Sequence, residues 1–304
     1  MTSVAQAAPA LDVPSGRPAT IPTPEPGDPR LRRLSLNQRT CAGWSLREAV
    51  DGCVAAGLGS IGVWREPVAE VGLDTAVRWV REAGLRVSSV CRGGFFTVSD
   101  PHAFAAAHAS NVEAVRETAA LGAATLVLVP GGLPEGDKDL PAARERAVEA
   151  IAALAPVAAD HGVLLAIEPM HPIFAADRGV VSTLGQALDI AEEFDPATVG
   201  VVVDTFHVWW EPGLEQQIAR AAGRIASYQV CDWITPFPAD ALLSRGMMGD
   251  GHIDFPGITA QVSAAGYTGD VEVEIFHADV WAAPGADVVA TMARRYVELV
   301  EPSL

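Results

Sequence analysis

Short β-branched runs alternate along this chain with longer runs rich in Ala, Leu, Arg and Glu that keep a helical period. The alternation begins at Leu34 and predicts strands at Leu34–Gln38, Ser60–Trp64, Leu85–Cys91, Thr125–Val129, Val163–Glu168, Val199–Asp204, Ile225–Cys231 and Asp270–Ile275. Helices are predicted over 46–57, 70–84, 102–121, 140–160, 184–193, 213–222, 256–265 and 285–299. Several helix-to-strand joints carry a glycine, as in Ala56-Gly57-Leu58 and His161-Gly162-Val163. Glycine there closes the last helical turn in the left-handed conformation. Strict alternation of strand and helix calls for a parallel sheet, and eight such units close as a (β/α)₈ TIM barrel of the α/β class, a single domain. A doubly wound open sheet is the structural alternative. It would more often open on a glycine-rich loop, and Gln38-Arg39-Thr40-Cys41-Ala42-Gly43 is not one.

Ahead of the alternation, residues 1–30 carry prolines at 9, 14, 18, 22, 24, 26 and 29. Such a stretch buries too little apolar surface to offset its chain entropy, so it reads as a disordered Pro/Ala-rich tail preceding a catalytic domain at 31–304. An extended arm lying on the barrel or on a neighbour is the other reading. The formal charge of −17 argues against nucleic acid, because phosphate binding needs a basic surface. Cys41, Cys53, Cys91 and Cys231 are widely spaced and form no CxxC pair, which disfavours disulfides and structural zinc and points to a reducing cytoplasm. No apolar run is long enough to span a bilayer, and the N-terminus lacks the basic and apolar regions of a signal peptide.

Chemistry in such barrels sits where the strands end. Four consecutive predicted strands end on or near possible metal ligands: Glu168, Asp204, Gln229 and Glu274. Each alone is an ordinary polar residue at a strand end. Together they can converge on one ion, since adjacent strands run about 4.8 Å apart. Three carboxylates and an amide oxygen form an all-oxygen set that suits Mn²⁺ or Mg²⁺ better than zinc, with Co²⁺ a further option. Glu272 shares strand parity with Glu274 and competes for the role, but Glu274 sits nearer the strand end.

The segments Ile167-Glu168-Pro169, Val203-Asp204-Thr205-Phe206-His207, Gln229-Val230-Cys231-Asp232 and Val273-Glu274-Ile275-Phe276 resemble the four motifs of the xylose-isomerase-like sugar phosphate isomerase/epimerase superfamily. The resemblance runs from about Leu34 to the C-terminus. Many members carry His where this chain has Gln229, and 3-dehydroshikimate dehydratases use Gln as a ligand. The resemblance implies that His207 contacts a substrate oxygen. His171, three residues after Glu168, is a candidate base or hydrogen-bond donor, and a solvated loop histidine is the equal alternative. His252 and His277 are weaker candidates, and His102, His108 and His161 fall on helices away from the barrel mouth.

Trp44, Trp64, Trp209, Trp210, Trp233 and Trp281 fall at or just beyond strand ends, with Phe95, Phe96, Phe206 and Phe276. Some must pack the loop layer, yet so many on one face suggest a pocket for sugar rings or an aromatic group. The stretch His277–Pro284 lacks the glycine cluster of barrel phosphate sites, so an unphosphorylated carbohydrate substrate is expected. The favoured chemistry is proton abstraction next to a carbonyl, with Glu168 and Glu274 facing each other across the substrate and an enediolate between the two transfers. The same step could expel a β group, and the resemblance extends to the barrel subunits of bacterial C-glycoside deglycosidases, which work with a small partner subunit. A homo-oligomer is the other expected assembly. A metal endonuclease would need more histidines and a basic face. A non-catalytic sugar-binding barrel would gain nothing from two opposed glutamates on a metal.

Overall fold

The β-branched runs become strands because both of their faces can be buried, as they are along the whole of Thr125–Val129 and Val199–Asp204. In a computed structural model describing residues 12–13 and 17–304, the strands are β1 (Leu34–Asn37), β2 (Ser60–Trp64), β3 (Arg86–Gly94), β4 (Thr125–Val129), β5 (Leu164–Ile167), β6 (Val199–Asp204), β7 (Ile225–Val230), β8 (Asp232–Trp233), β9 (Arg245–Gly246) and β10 (Val271–Val273). The first seven and β10 pair in parallel and close as β1-β2-β3-β4-β5-β6-β7-β10. This is the expected eight-stranded barrel with helices alternating around it. The remaining two strands, β8 and β9, form a small antiparallel ribbon over the loop after β7.

The barrel interior divides into two sides of different chemistry. Val127, Ala166 and Val202 fill the β4–β6 side as an apolar cluster with Trp64 and Cys91. Across from them Glu272 is buried among hydroxyl and amide donors: Asn37 Nδ2 at 2.6 Å, Ser88 Oγ at 2.6 Å and Ser89 Oγ at 2.9 Å. A carboxylate inside a barrel needs such partners, and Glu272 has a full set.

Helix ends follow local rules. Ser45 and Glu48 form a reciprocal capping box at the start of Leu46–Ala55, and Gly162 ends Leu140–His161 in the left-handed conformation. The helix predicted over 70–84 is instead split at Gly72, whose φ of 83° separates Arg65–Val71 from Leu73–Glu82. No helix among the described residues is long and apolar enough to cross a membrane.

Part of the segment read as a disordered tail is tied to the barrel at several points. Residues 1–11 and 14–16 lie outside the described residues. Asp12 is buried against the helix Gly285–Leu299, pairing with Arg294 Nη2 at 2.5 Å and Arg295 Nε at 2.6 Å. Arg17 donates to the Gly249 carbonyl, Thr23 accepts from Arg294, and a Cβ on Gly57 would meet the backbone of Pro26 and Gly27. A proline-rich stretch without its own core is held by ion pairs to a helix some 280 positions away, which no local pattern announces.

Candidate active site

Glu168 follows β5, Asp204 ends β6, Gln229 lies near the end of β7 and Glu274 follows β10, so the barrel brings all four to its C-terminal mouth. Asp204 and Gln229 are register partners on adjacent strands. Glu168, Asp204, Gln229 and Glu274 are all buried, each no more than 5 % exposed. Glu168 and Glu274 line one cavity of about 190 Å³, together with Trp64, Cys91, His207 and Arg245. That volume suits a monosaccharide-sized guest rather than a large ligand.

Glu272 and Glu274 separate cleanly. Glu272 is absorbed into the Asn37, Ser88 and Ser89 network below, while Glu274 faces Arg245 at 3.2 Å. Asn37 bridges the two, donating to both carboxylates, and its own Oδ1 accepts from Trp64 Nε1 at 2.9 Å.

Arg245 is the residue that strand-end reasoning missed. Its guanidinium is fully buried, with Nη1 at 2.9 Å from Asp204 Oδ2, and it stacks over Phe206 and Phe276. Arg245 belongs to β9, on an irregular loop where no hydrophobic period marks an inward side chain. The only signal is Asp232, in the Gln-Val-Cys-Asp motif. Asp232 accepts from the backbone N–H groups of Trp233, Gly249, Gly251 and Ile253 and thereby folds the loop that carries Arg245 inward.

The electrostatics follow from burial. Burial and the neighbouring Glu274 and Asp204 push Glu168 well above the usual carboxylate range, and Glu274 is raised to about 7 by burial against the pull of Arg245. Asp204 is raised less, because Arg245 and the Phe206 N–H hold its charge. Burial and Arg245 lower His207, keeping its ring neutral. Both ring nitrogens face donors: the His171 N–H at 3.0 Å on Nδ1 and Arg245 Nη2 at 3.0 Å on Nε2. A neutral ring carries one proton, so these contacts compete. Nε2 lies 3.8 Å from both Glu168 and Asp204.

The other predicted residues fall as follows. The His171 ring packs on Trp233 and Trp210 and does not line the cavity; its contribution is the backbone N–H that orients His207. Trp64, Phe95 and Phe276 line the cavity, whereas Trp209, Trp210, Trp233 and Phe206 pack the loop layer and Trp44 lies against Gly52 and Gly285 outside it.

Glu168, Asp204 and His207 place ligand atoms within 4.8 Å of one another, a group able to hold a divalent metal. Two observations fit a cation here. Three buried carboxylates face one guanidinium, leaving two negative charges uncompensated when all are ionised. Both polar atoms of the Gln229 amide are also buried without a hydrogen-bond partner.

Residues 50–296 match the family described as the xylose isomerase-like TIM barrel. The chain belongs to that family. Among solved structures it is similar to protein SMc04130 of Sinorhizobium meliloti 1021, at 49 % identity and a TM-score of 0.87, over 89 % of this chain and 99 % of that one. Among curated proteins it is similar to the inosose isomerase of Bacillus licheniformis, 26 % identical over 156 residues, which are 50 % of this chain and 54 % of that protein. It also matches the L-ribulose 3-epimerase of Mesorhizobium japonicum, 27 % identical over 136 residues, 44 % of this chain and 41 % of that protein. The chain thus spans about half the length of these curated relatives or less.

The charge balance makes Arg245 a stability element as well. Replacing it by leucine removes the buried guanidinium that pairs with Asp204 and Glu274, and Arg245→Leu is expected to lower the unfolding free energy by about 3 kcal/mol. Urea denaturation at neutral pH measures this; a loss under about 1 kcal/mol would mean that Arg245 is not buried among them.

Proposed function

We propose that this protein is a divalent-metal-dependent sugar isomerase or epimerase that moves a proton at the carbon next to a carbonyl. The observation that carries the reading is the pair Glu168 and Glu274, two buried carboxyl groups lining one small cavity, both with raised proton affinity. A group poised near neutrality is suited to taking and returning a proton at working pH. The inosose isomerase and epimerase relatives support the substrate class, a polyhydroxy carbonyl compound.

Glu168, Asp204, Gln229 and Glu274 would hold the ion, with Mn²⁺ the first choice for an all-oxygen set and Mg²⁺ or Co²⁺ as alternatives. His207, whose Nε2 lies 3.8 Å from both Glu168 and Asp204, borders this set. Such an ion supplies Lewis acidity that lowers the cost of negative charge on the substrate oxygens. One glutamate removes the proton from the carbon next to the carbonyl, and the electron pair moves onto the oxygen to give an enediolate. His207, which lines the same cavity, is placed to hydrogen-bond that oxygen, and the aromatic wall of Trp64 and Phe276 keeps water away. The opposite glutamate returns a proton. Return to the other face of the same carbon epimerises, and return to the neighbouring carbon isomerises. A purely sugar-binding barrel would gain nothing from burying two such carboxyl groups together.

Protein stripped with a chelator and reloaded with Mn²⁺ is expected to bind about one ion per chain, read by elemental analysis. Asp204→Ala should lose most of it; wild-type stoichiometry in that variant would contradict the ligand assignment.

On a panel of free ketoses and inososes with added Mn²⁺, Glu168→Gln and Glu274→Gln should each cost about 10²-fold or more in turnover, since a carboxamide takes no proton from carbon. Wild-type rates in either variant would remove that glutamate from the mechanism.

A further inference from the structure

Besides Arg245, three arginines line the cavity that holds Glu168 and Glu274: Arg39 from the turn Gln38–Cys41, Arg92 from β3, and Arg178 from the loop after β5. In a chain of formal charge −17, three separate segments bring guanidinium groups to one small opening. Glu168 and Glu274 are buried at the floor, while the three arginines are half-buried. The cavity thus has two buried glutamates with Arg245 at its floor, and three further guanidinium groups with one half-exposed carboxylate, Glu66, above them.

The arginines are held in place without being neutralised. Arg92 has no hydrogen bond or ion pair among the described residues; its guanidinium lies 4.3 Å from the Phe95 ring centroid and 5.9 Å from that of Trp64. Arg39 stacks on the same Trp64 at 4.6 Å, and its Nε is buried without a hydrogen-bond partner. Glu66 lies 3.6 Å from Arg39 and Asp177 lies 3.3 Å from Arg178, but both carboxylates are more than half exposed, so water screens these pairs. Aromatic faces orient a guanidinium while leaving its in-plane N–H donors free for an acceptor.

The backbone beneath Arg92 adds a second sign. Phe95 has φ 57°, the only non-glycine residue at positive φ among those described, and its ring is exposed at the opening. A bulky residue in the left-handed region is strained and persists where its surroundings hold it. Here the Phe95 N–H is bonded to the Val129 carbonyl at 2.8 Å, and the ring it positions carries Arg92.

We propose that the substrate carries a terminal anionic group, a carboxylate or a phosphate, which Arg92, Arg39 and Arg178 hold at the mouth while the carbonyl end reaches Glu168 and Glu274. This rests on the reading of the cavity as a sugar-carbonyl site and deepens it. The polarity would also orient the guest, because the reverse pose sets the anion against two carboxylates. Arg92, with no carboxylate of its own, contributes most.

Calorimetric titration of the Mn²⁺-loaded full chain with D-fructose, D-fructuronate and D-fructose 6-phosphate tests this, since the three differ in charge at one carbon. At least one anion is expected to bind about tenfold or more tighter than fructose, the scale of a charge-assisted hydrogen bond, and which anion wins separates carboxylate from phosphate. Arg92→Gln should abolish that preference, and the exposed Arg81→Gln should keep it. If Arg92→Gln melts at lower temperature than wild type, Arg178→Gln serves in its place and should weaken the preference. Fructose binding as tightly as both anions, neither anion binding, or a preference that survives Arg92→Gln would each overturn the proposal. The readout needs no turnover, so anion preference without turnover would count against the isomerase reading alone.

Discussion

Three carboxylates buried at one end of a barrel, with one guanidinium between two of them, are the constraint around which this molecule is arranged. Glu168, Asp204 and Glu274 cannot all stay ionised there without a compensating cation, because the interior strengthens their mutual repulsion. Arg245 offsets part of it. The rest raises the proton affinity of Glu168 and Glu274 and favours a divalent ion. The proposed acid–base chemistry and cation affinity would thus come from the same excess charge.

Holding Arg245 there takes structure well beyond the barrel. Asp232 gathers four backbone N–H groups and shapes the loop, and β8 with β9 sets the residue against Asp204. The underside of the same loop is tied down by the N-terminal arm, through Arg17 to Gly249 and through Arg295 to both Asp12 and Asp250. Residues that look like a loose tail and a glycine-rich loop support the electrostatics of the site.

What could be read beforehand follows from periodicity. β-branched runs alternating with helical runs announce a barrel, and strand ends announce Glu168, Asp204, Gln229 and Glu274, because position along a strand determines which side chains reach the mouth. Choosing Glu274 over Glu272 needed only the strand end, and the two have different surroundings, a hydroxyl and amide network for Glu272 and Arg245 for Glu274. Arg245, Arg92 and the folded arm were not legible. Arg245 lies on a loop without a period, Arg92 lies on β3 beyond the end predicted at Cys91, and Asp12 finds its partners in the last helix. The aromatics were half legible. Their common face was evident, but which rings line the cavity depends on loop packing.

The central claim is that Glu168 and Glu274 exchange a proton with the carbon beside a carbonyl. NMR of the Mn²⁺-loaded protein in D₂O, with whichever ketose it turns over, tests that claim most directly. Proton transfer through a carboxyl group that equilibrates with solvent predicts deuterium at that carbon in the product. Turnover that leaves the carbon fully protonated, as a direct hydride shift would, contradicts it.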